Sequence, residues 1–395
     1  MNKVAYILLS LVMTAMTVKA GDETCTDSVG GSRYGLGLDL RPAYVVPSNG
    51  YVEGDNAVGK PIDKSMSAYM KFSFTLDPKS RLGKMYPDAY QGIGIGFTGF
   101  ADAKDIGTPF SVYAFQGAPI ARLNNRLSLD YEWNFGASFW WKKYHEDKNP
   151  SNGVVGSSTN AYINLALMLK YRLNRNWYLS GGLDFTHYSN GNTDYPNSGI
   201  NLIGLRMGLV YMLNSSRGNS VYSPSNGFEP HFVYDVALYC AARKYGFTHE
   251  DTRYLIPGRF GVLGLNAGPV YRFNKYFGLG ASLDLQYDEG ANIGEYYEPN
   301  SRPEDPRFYR PPFAKQFGAG LSVRAEFTMG FFTINAGLGH NVVYKGSDLD
   351  GFYQMFVLKT FVTPRLFLNV GYKLLRFKDP GNLMLGVGYR FNGSW

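Results

Sequence analysis

The residues of this sequence best suited to chemistry are His187, Ser189 and Asn201. A histidine next to a hydroxyl can act as its general base, and an amide oxygen that accepts the other ring N–H can fix the histidine tautomer. A nucleophile, a base and an orienting group are together what covalent acyl transfer requires. These side chains can cooperate only if the chain folds so that they share one face.

Strand periodicity predicts that they do share a face. Residues 176–189 alternate with period two, with mostly apolar odd positions and small or polar even positions, which indicates a β-strand. The odd face ends in His187 and Ser189, whose Cβ atoms should lie about 7 Å apart. The next strand, 199–213, alternates in the same way and places Asn201 on its own apolar face.

Composition places these strands in an all-β protein. Of the 395 residues, 16% are aromatic, 18% are charged and 47 are glycine, and the mean hydropathy is −0.22. A helical membrane protein would need repeated apolar runs of about 20 residues. Disorder does not fit 45% hydrophobic residues. Period-two alternation predicts sixteen approximate strands, from 32–46 to 380–391.

The connections between strands indicate a membrane barrel. Very short turns occur at 122–126, 172–176 and 273–276, whereas polar loops at 144–158 and 289–314 are long. Short periplasmic turns and long extracellular loops are typical of transmembrane β-barrels, whose apolar strand faces meet lipid. The sequence predicts an antiparallel transmembrane β-barrel of about 14–16 strands. One large barrel, or an eight-strand barrel plus a second domain, would both fit.

Polar side chains on a lipid-facing wall are costly and need a reason. The simple explanation for His187 and Ser189 is that they lie at the interfacial girdle and meet water and headgroups. His340 occupies a similar position, but residue 342 is valine, so the simple explanation suffices there. The shared face of His187, Ser189 and Asn201 favours a catalytic role instead.

The ends of the chain and its two halves suggest the domain boundaries. Residues 1–20 combine a lysine, an apolar run and a small final residue, as in a cleaved secretory signal peptide. The predicted domains are then 21–213, the first half of the barrel, a linker or periplasmic connection at 214–228, and 229–395, the second half. The chain is expected in the bacterial outer membrane.

Charge and cysteine content exclude some classes of function. The formal net charge of +7 is too modest to predict a nucleic-acid partner. Cys25 and Cys240 could pair in an oxidising compartment, although Cys25 precedes the first strand. No CxxC motif is present, so a thiolate metal site has no support.

The two halves of the chain show signs of a repeat. Residues 171–175, YRLNR, recur as 271–275, YRFNK. Duplication of an ancestral half would explain this, and so would the composition that barrel hairpins share. If a repeat exists, Tyr287 stands where the first copy has His187, so the second copy has lost the site.

The stretch HYSNG at 187–191, followed by PNSGIN at 196–201, resembles the active-site hairpin of outer-membrane lipid A 3-O-deacylases of the PagL type. The chain looks like a longer, Bacteroidetes-type member of this acyloxyacyl hydrolase-like family. The resemblance implies that His187 is the base and Ser189 the nucleophile. It also implies that Asn190, Gly191 and Asn197 shape the oxyanion site.

One position departs from that family and opens an alternative. Asn201 stands where the deacylases have glutamate, and an amide can orient the ring but cannot offset the imidazolium charge. The residues also resemble outer-membrane phospholipase A, whose triad is His, Ser and Asn and which uses calcium, for which Asp194 could be a ligand. The segment 196–200 favours the deacylase.

The resemblance therefore implies an outer-membrane esterase that hydrolyses an ester-linked acyl chain of lipid A through Ser189, His187 and Asn201. A phospholipase acting on glycerophospholipids, and a porin-like or structural barrel without catalysis, are the alternatives. No cofactor or metal is expected, except calcium for a phospholipase. The expected partners are lipid A in lipopolysaccharide, or phospholipid, and no nucleic acid. The oligomeric state is left open.

Overall fold

The fold consists of two closed antiparallel β-barrels. The computed structural model describes residues 31–214 except 102 and 104, then 228–249, 252–296, 298, 307–377 and 379–393. The chain forms two compact units, one reaching to Asn190 with Pro196–Ser225, the other comprising Gly191–Tyr195 and Asn226–Trp395. The prediction of an all-β antiparallel barrel architecture is confirmed. Among the described residues, no helix is long and apolar enough to cross a membrane.

The first unit closes eight strands in chain order, and the last strand pairs with the first. Two short helices, α1 (Gly50–Glu53) and α2 (Arg81–Met85), lie in its connections. Its strands are β1 (Tyr34–Val45), β2 (Lys64–Thr75), β3 (Tyr90–Phe100), β4 (Phe110–Arg122), β5 (Leu127–Phe139), β6 (Thr159–Arg172), β7 (Trp177–Ser189) and β8 (Ile200–Met212).

The second unit also closes eight strands, with its last strand paired to its first. A separate two-stranded hairpin, β10 (Gly246–His249) and β11 (Thr252–Leu255), follows the first strand, and helix α3 (Phe313–Gln316) precedes β14. The barrel strands are β9 (His231–Arg243), β12 (Phe260–Arg272), β13 (Phe277–Asp288), β14 (Phe317–Met329), β15 (Phe332–Val343), β16 (Phe352–Phe361), β17 (Leu366–Leu375) and β18 (Asp379–Phe391).

The sixteen predicted strands therefore divide into two eight-strand barrels, which answers the choice that the sequence left open. The hairpin of β10 and β11 was not predicted, because strands of four residues are too short to show alternation. The connection 76–89 is longer than a short turn and contains α2. The proposed signal peptide, Cys25 and nearly all of the linker 214–228 lie outside the described residues.

Asparagine side chains shape the short turns in both units. The Oδ1 atoms of Asn124, Asn174 and Asn274 each accept backbone N–H groups two and three residues further along, at 2.8 to 3.0 Å. An asparagine that bonds the following backbone in this way is a standard turn former. The equivalent turns at Asn174 and Asn274 agree with the repeat between 171–175 and 271–275.

Charged side chains fill the interior of the first barrel. Arg206 is fully buried and pairs with Glu132 and, at 2.6 Å, with Asp39. Lys71 joins the same network, 3.1 Å from Asp39 and 3.2 Å from Glu132. An eight-strand barrel is just wide enough for its interior to be filled by side chains. The described strands close as two eight-strand barrels and so do not form the wide aqueous channel that a single sixteen-strand barrel would offer.

Arg206→Met should destabilise the first barrel by about 3–5 kcal/mol, because it leaves buried carboxylates short of a counter-charge. Urea unfolding of the purified protein in detergent micelles would measure the change. Arg172→Met is a matched control, since Arg172 is exposed, and it should cost no more than about 0.5 kcal/mol. Equal unfolding midpoints for the two variants would show that the network does not stabilise the barrel.

Candidate active site

Strand β7 carries its side chains as the sequence alternation predicts. Leu183 is 62% exposed on the outer face, whereas Asp184 is only 5% exposed and points into the barrel. His187 and Ser189 share the outer face with Leu183 and are half-buried. The two polar side chains therefore lie on the lipid-facing side of the wall, at the end of β7 that leads into the loop before β8.

Asn201 is the direct cross-strand partner of His187. The two residues are paired in the register of β7 and β8, and Nδ1 of His187 lies 2.7 Å from Oδ1 of Asn201. An amide oxygen can only accept, so Nδ1 carries the ring proton and donates it to this bond. Nε2 of His187 then keeps its lone pair and is available as a base.

Tyr188, between the two site residues, anchors the end of β7 from inside the barrel. Its side chain is fully buried, and its hydroxyl lies 2.8 Å from Oγ1 of Thr98 and 3.1 Å from the hydroxyl of Tyr69. The ring of Trp141 packs edge-on at 5.0 Å. These contacts hold the strand so that His187 and Ser189 must face outward, a role that alternation alone did not reveal.

Gly199 lies close to the outward-facing side chains of His187 and Ser189. A methyl group at this position would lie 3.3 Å from Cε1 of His187 and 3.5 Å from Cβ of Ser189. The backbone φ is +70°, which favours glycine. Two other connections hold it: its N–H donates to the Val154 carbonyl at 3.3 Å, and Asn49 Nδ2 donates to its carbonyl at 3.2 Å. Gly199 was not among the predicted site residues, although it lies within the family motif.

The structure does not join Ser189 to His187 by a hydrogen bond within the described residues. Catalytic hydrogen bonds are often long without substrate and shorten only in the reacting complex. The predicted oxyanion residues are partly organised, since the backbone N–H of Asn190 donates to Oδ1 of Asn197 at 2.9 Å. This bond leaves Nδ2 of Asn197 as the donating end of the amide. Gly191, with φ +64°, groups with the second unit.

Asp194, the candidate calcium ligand of the phospholipase alternative, pairs with cations. Its Oδ1 lies 3.0 Å from Nζ of Lys244 and 3.6 Å from NH2 of Arg259. Within the described part of the chain, no group of three or more His, Cys, Asp or Glu residues could hold a metal ion.

The second barrel does not repeat the arrangement at the corresponding positions. Tyr287, where the first copy has His187, donates to Gln316 at 3.0 Å and accepts from Arg310 at 2.8 Å. His340 packs its ring against Phe352 with centroids 4.7 Å apart. These are contacts within the second barrel, and the simple explanation for His340 stays a prediction.

Family comparisons match both halves of the chain. The family described as Lipid A 3-O-deacylase (PagL) matches residues 34–210, nearly the whole span of the first barrel strands. The family described as Acyloxyacyl hydrolase, C-terminal domain (PagL_C) matches residues 232–393. The chain belongs to the PagL family. The predicted PagL-type resemblance is thus confirmed, and with it the prediction of an outer-membrane ester hydrolase that deacylates lipid A.

Solved structures with a similar course of the chain include the outer membrane enzyme PagL, at 16% identity, covering 44% of this chain and 97% of that chain, with a TM-score of 0.30. The FrpB iron transporter from Neisseria meningitidis is 12% identical, with 93% of this chain and 71% of that chain covered and a TM-score of 0.24. No curated protein sequence matches this PagL family member.

Gly199→Ala should lower deacylation by this PagL family member about 10- to 100-fold. The added methyl would push on the ring of His187 and on the Tyr188 carbonyl, 2.9 Å away, and small misplacements of catalytic groups are costly. Release of fatty acid from lipid A in mixed micelles would measure the loss. Gly181→Ala on β7 is the control, because a methyl there has no neighbour closer than 4.0 Å. Equal activities of the two variants would show that the contact of Gly199 with His187 and Ser189 does not affect deacylation.

Proposed function

We propose that this PagL family member cleaves its ester by a Ser-His-Asn mechanism in which Ser189 is the nucleophile and His187 the base. The observation that carries the proposal is the 2.7 Å bond from His187 Nδ1 to Asn201, which leaves Nε2 as a proton acceptor on the face that also bears Ser189. Such an arrangement is the general requirement for activating a serine hydroxyl.

The steps balance with these groups, the lipid and water. Oγ of Ser189 attacks the ester carbonyl as Nε2 of His187 takes the hydroxyl proton. The tetrahedral intermediate collapses, the sugar hydroxyl leaves with that proton, and the acyl group remains on Ser189. Water then attacks the acyl-enzyme, with His187 again taking and returning a proton, and the fatty acid is released. The steps require no cofactor.

The two neighbouring amides, Asn201 and Asn197, have different roles in these proposed steps. Asn201 orients the imidazole, but it carries no charge to stabilise the imidazolium that forms when His187 is protonated. Nδ2 of Asn197 is a suitable donor to the oxyanion, since Oδ1 of the same amide is held by Asn190. Gly191 is included in the proposed oxyanion site because of its place in the motif.

The position of the site explains how a membrane lipid reaches it. His187 and Ser189 lie on the outer face of β7, so an acyl ester can approach sideways from the bilayer. Long loops of transmembrane barrels face outward from the cell, where lipid A resides, which supports a reaction in the outer leaflet. Removal of residues 1–20 on export, and the boundaries 21–213, 214–228 and 229–395, remain part of the proposal.

Mass spectrometry of lipid A and phospholipids from outer membranes with and without the protein tests the substrate. Loss of one acyl chain from lipid A is the expected result and would also identify the chain that is removed. Accumulation of lysophospholipid would instead support the phospholipase chemistry that Asn201 resembles. Unchanged lipids, with the protein folded in the membrane, would contradict the proposed function.

A further inference from the structure

Asn201, which is hydrogen-bonded to His187, also contacts a third polar side chain, that of Ser48. Nδ2 of Asn201 donates to Oγ of Ser48 at 3.4 Å, so ring, amide and hydroxyl form a row. Ser48 comes from a distant part of the sequence, the connection between β1 and α1. The backbone holds this connection to β8, since the Val46 N–H donates to the Asn201 carbonyl at 2.8 Å and the Ser48 N–H to the Val46 carbonyl at 2.8 Å.

The orientation of the Asn201 amide decides which ring nitrogen of His187 can act as the base. With Oδ1 toward the ring, Nδ1 holds the proton and Nε2 is free. With the amide turned over, its NH2 group would donate to Nδ1, and the ring proton would move to Nε2. His187 could then not accept a proton from Ser189. A glutamate at this position would avoid the problem, because both carboxylate oxygens accept.

We infer that Ser48 is a positioning residue that holds the Asn201 amide with its oxygen toward His187. The inference rests on the Ser-His-Asn mechanism proposed above. The separation itself favours this orientation, because N–H···O bonds are about 0.2 Å longer than O–H···O bonds. With Ser48 held by the backbone, a turned amide would place its oxygen at the same 3.4 Å, about 0.4 Å beyond the usual O–H···O range, whereas the N–H···O contact is only about 0.2 Å beyond its own range.

The experiment that tests this inference removes the hydroxyl of Ser48 in the native chain and in an Asn201→Glu variant. Ser48→Ala in the native chain should lower kcat for lipid A in mixed micelles about three- to tenfold, the equivalent of one ordinary hydrogen bond, with little change in KM. Ser48→Asp, which can only accept from Nδ2, should retain activity. In an Asn201→Glu background, Ser48→Ala should change kcat less than about twofold, because a carboxylate has no wrong orientation.

Equal losses from Ser48→Ala in both backgrounds would reduce Ser48 to a structural residue and overturn the inference. So would full activity of Ser48→Ala in the native chain, or loss of activity in Ser48→Asp equal to that in Ser48→Ala. These outcomes differ from failure of the proposed function, in which Ser189→Ala would retain the activity of the unmodified chain.

A second measurement does not depend on turnover. Nitrogen NMR of the full-length protein labelled at its 5 histidines, with His187 assigned by its loss in a His187→Gln sample, reports the tautomer directly. The unmodified protein should show Nδ1 protonated, and Ser48→Ala should show a mixture of both tautomers. An unchanged tautomer in Ser48→Ala would overturn the inference even if Asn201→Glu proved inactive.

Discussion

Ser189→Ala should abolish lipid A deacylation, with a loss in rate of about 10⁴- to 10⁶-fold, comparable to removal of a serine nucleophile elsewhere. The loss should appear in kcat, because the hydroxyl forms the covalent bond and contributes little to binding the lipid. Single-turnover release of fatty acid from lipid A, with the protein in mixed micelles, measures the chemical step without the contribution of product release.

Ser180→Ala is the matched control on the same strand. Ser180 lies on the inner side of β7 and donates to the Gly208 carbonyl at 3.4 Å, so its removal tests whether any serine lost from this strand disturbs the barrel. It should retain activity within about twofold, because Ser180 lies on the inner side of β7, away from the face that bears His187 and Ser189. A Ser189→Ala protein as active as Ser180→Ala would exclude Ser189 as the nucleophile.

His187→Gln should lower the rate by about 10³- to 10⁶-fold, because glutamine cannot take the proton that His187 is proposed to accept from Ser189. In the unmodified protein, kcat/KM should fall as the pH is lowered, by tenfold per pH unit once His187 is mostly protonated, since a protonated imidazole cannot accept a proton. Rates measured across pH 5–8 with lipid A in mixed micelles would show this limb.

His340→Gln provides the comparison for that substitution. His340 also faces outward near the end of a strand, but it contacts Phe352 and belongs to the second barrel. Its replacement should leave both the rate and the pH profile unchanged. A flat profile in the unmodified protein, or equal activity of His187→Gln and His340→Gln, would remove His187 from the mechanism.

The outer face of the site could be predicted because a strand offers only two sides. Once Leu183 was assigned to the lipid-facing side, His187 and Ser189 had to share it, and the structure bears this out. The pairing of His187 with Asn201 also followed, since two adjacent strands joined by one loop must lie side by side. Local periodicity was therefore sufficient to place the three residues of the proposed mechanism on one face.

The closure of the barrels and the surroundings of the site could not be predicted in the same way. Alternation shows which face is apolar but not which distant strand completes the sheet, so one large barrel and two smaller ones gave the same pattern. Tyr188 acquires its role from Tyr69, 119 residues away, and Ser48 contacts a residue 153 positions later. Contacts at that separation leave no trace in local spacing.

Because His187 and Ser189 face outward from β7, the rate of this enzyme depends on a different kind of substrate concentration from the one that governs a soluble enzyme. A site that opens into a water-filled cleft responds to the number of substrate molecules per litre. Here the substrate is also a component of the surrounding medium, so the proposed reaction responds to the fraction of lipid A among the lipids in contact with the wall. Adding more membrane of the same composition leaves the turnover rate of each enzyme molecule unchanged. Diluting lipid A with another amphiphile lowers that rate.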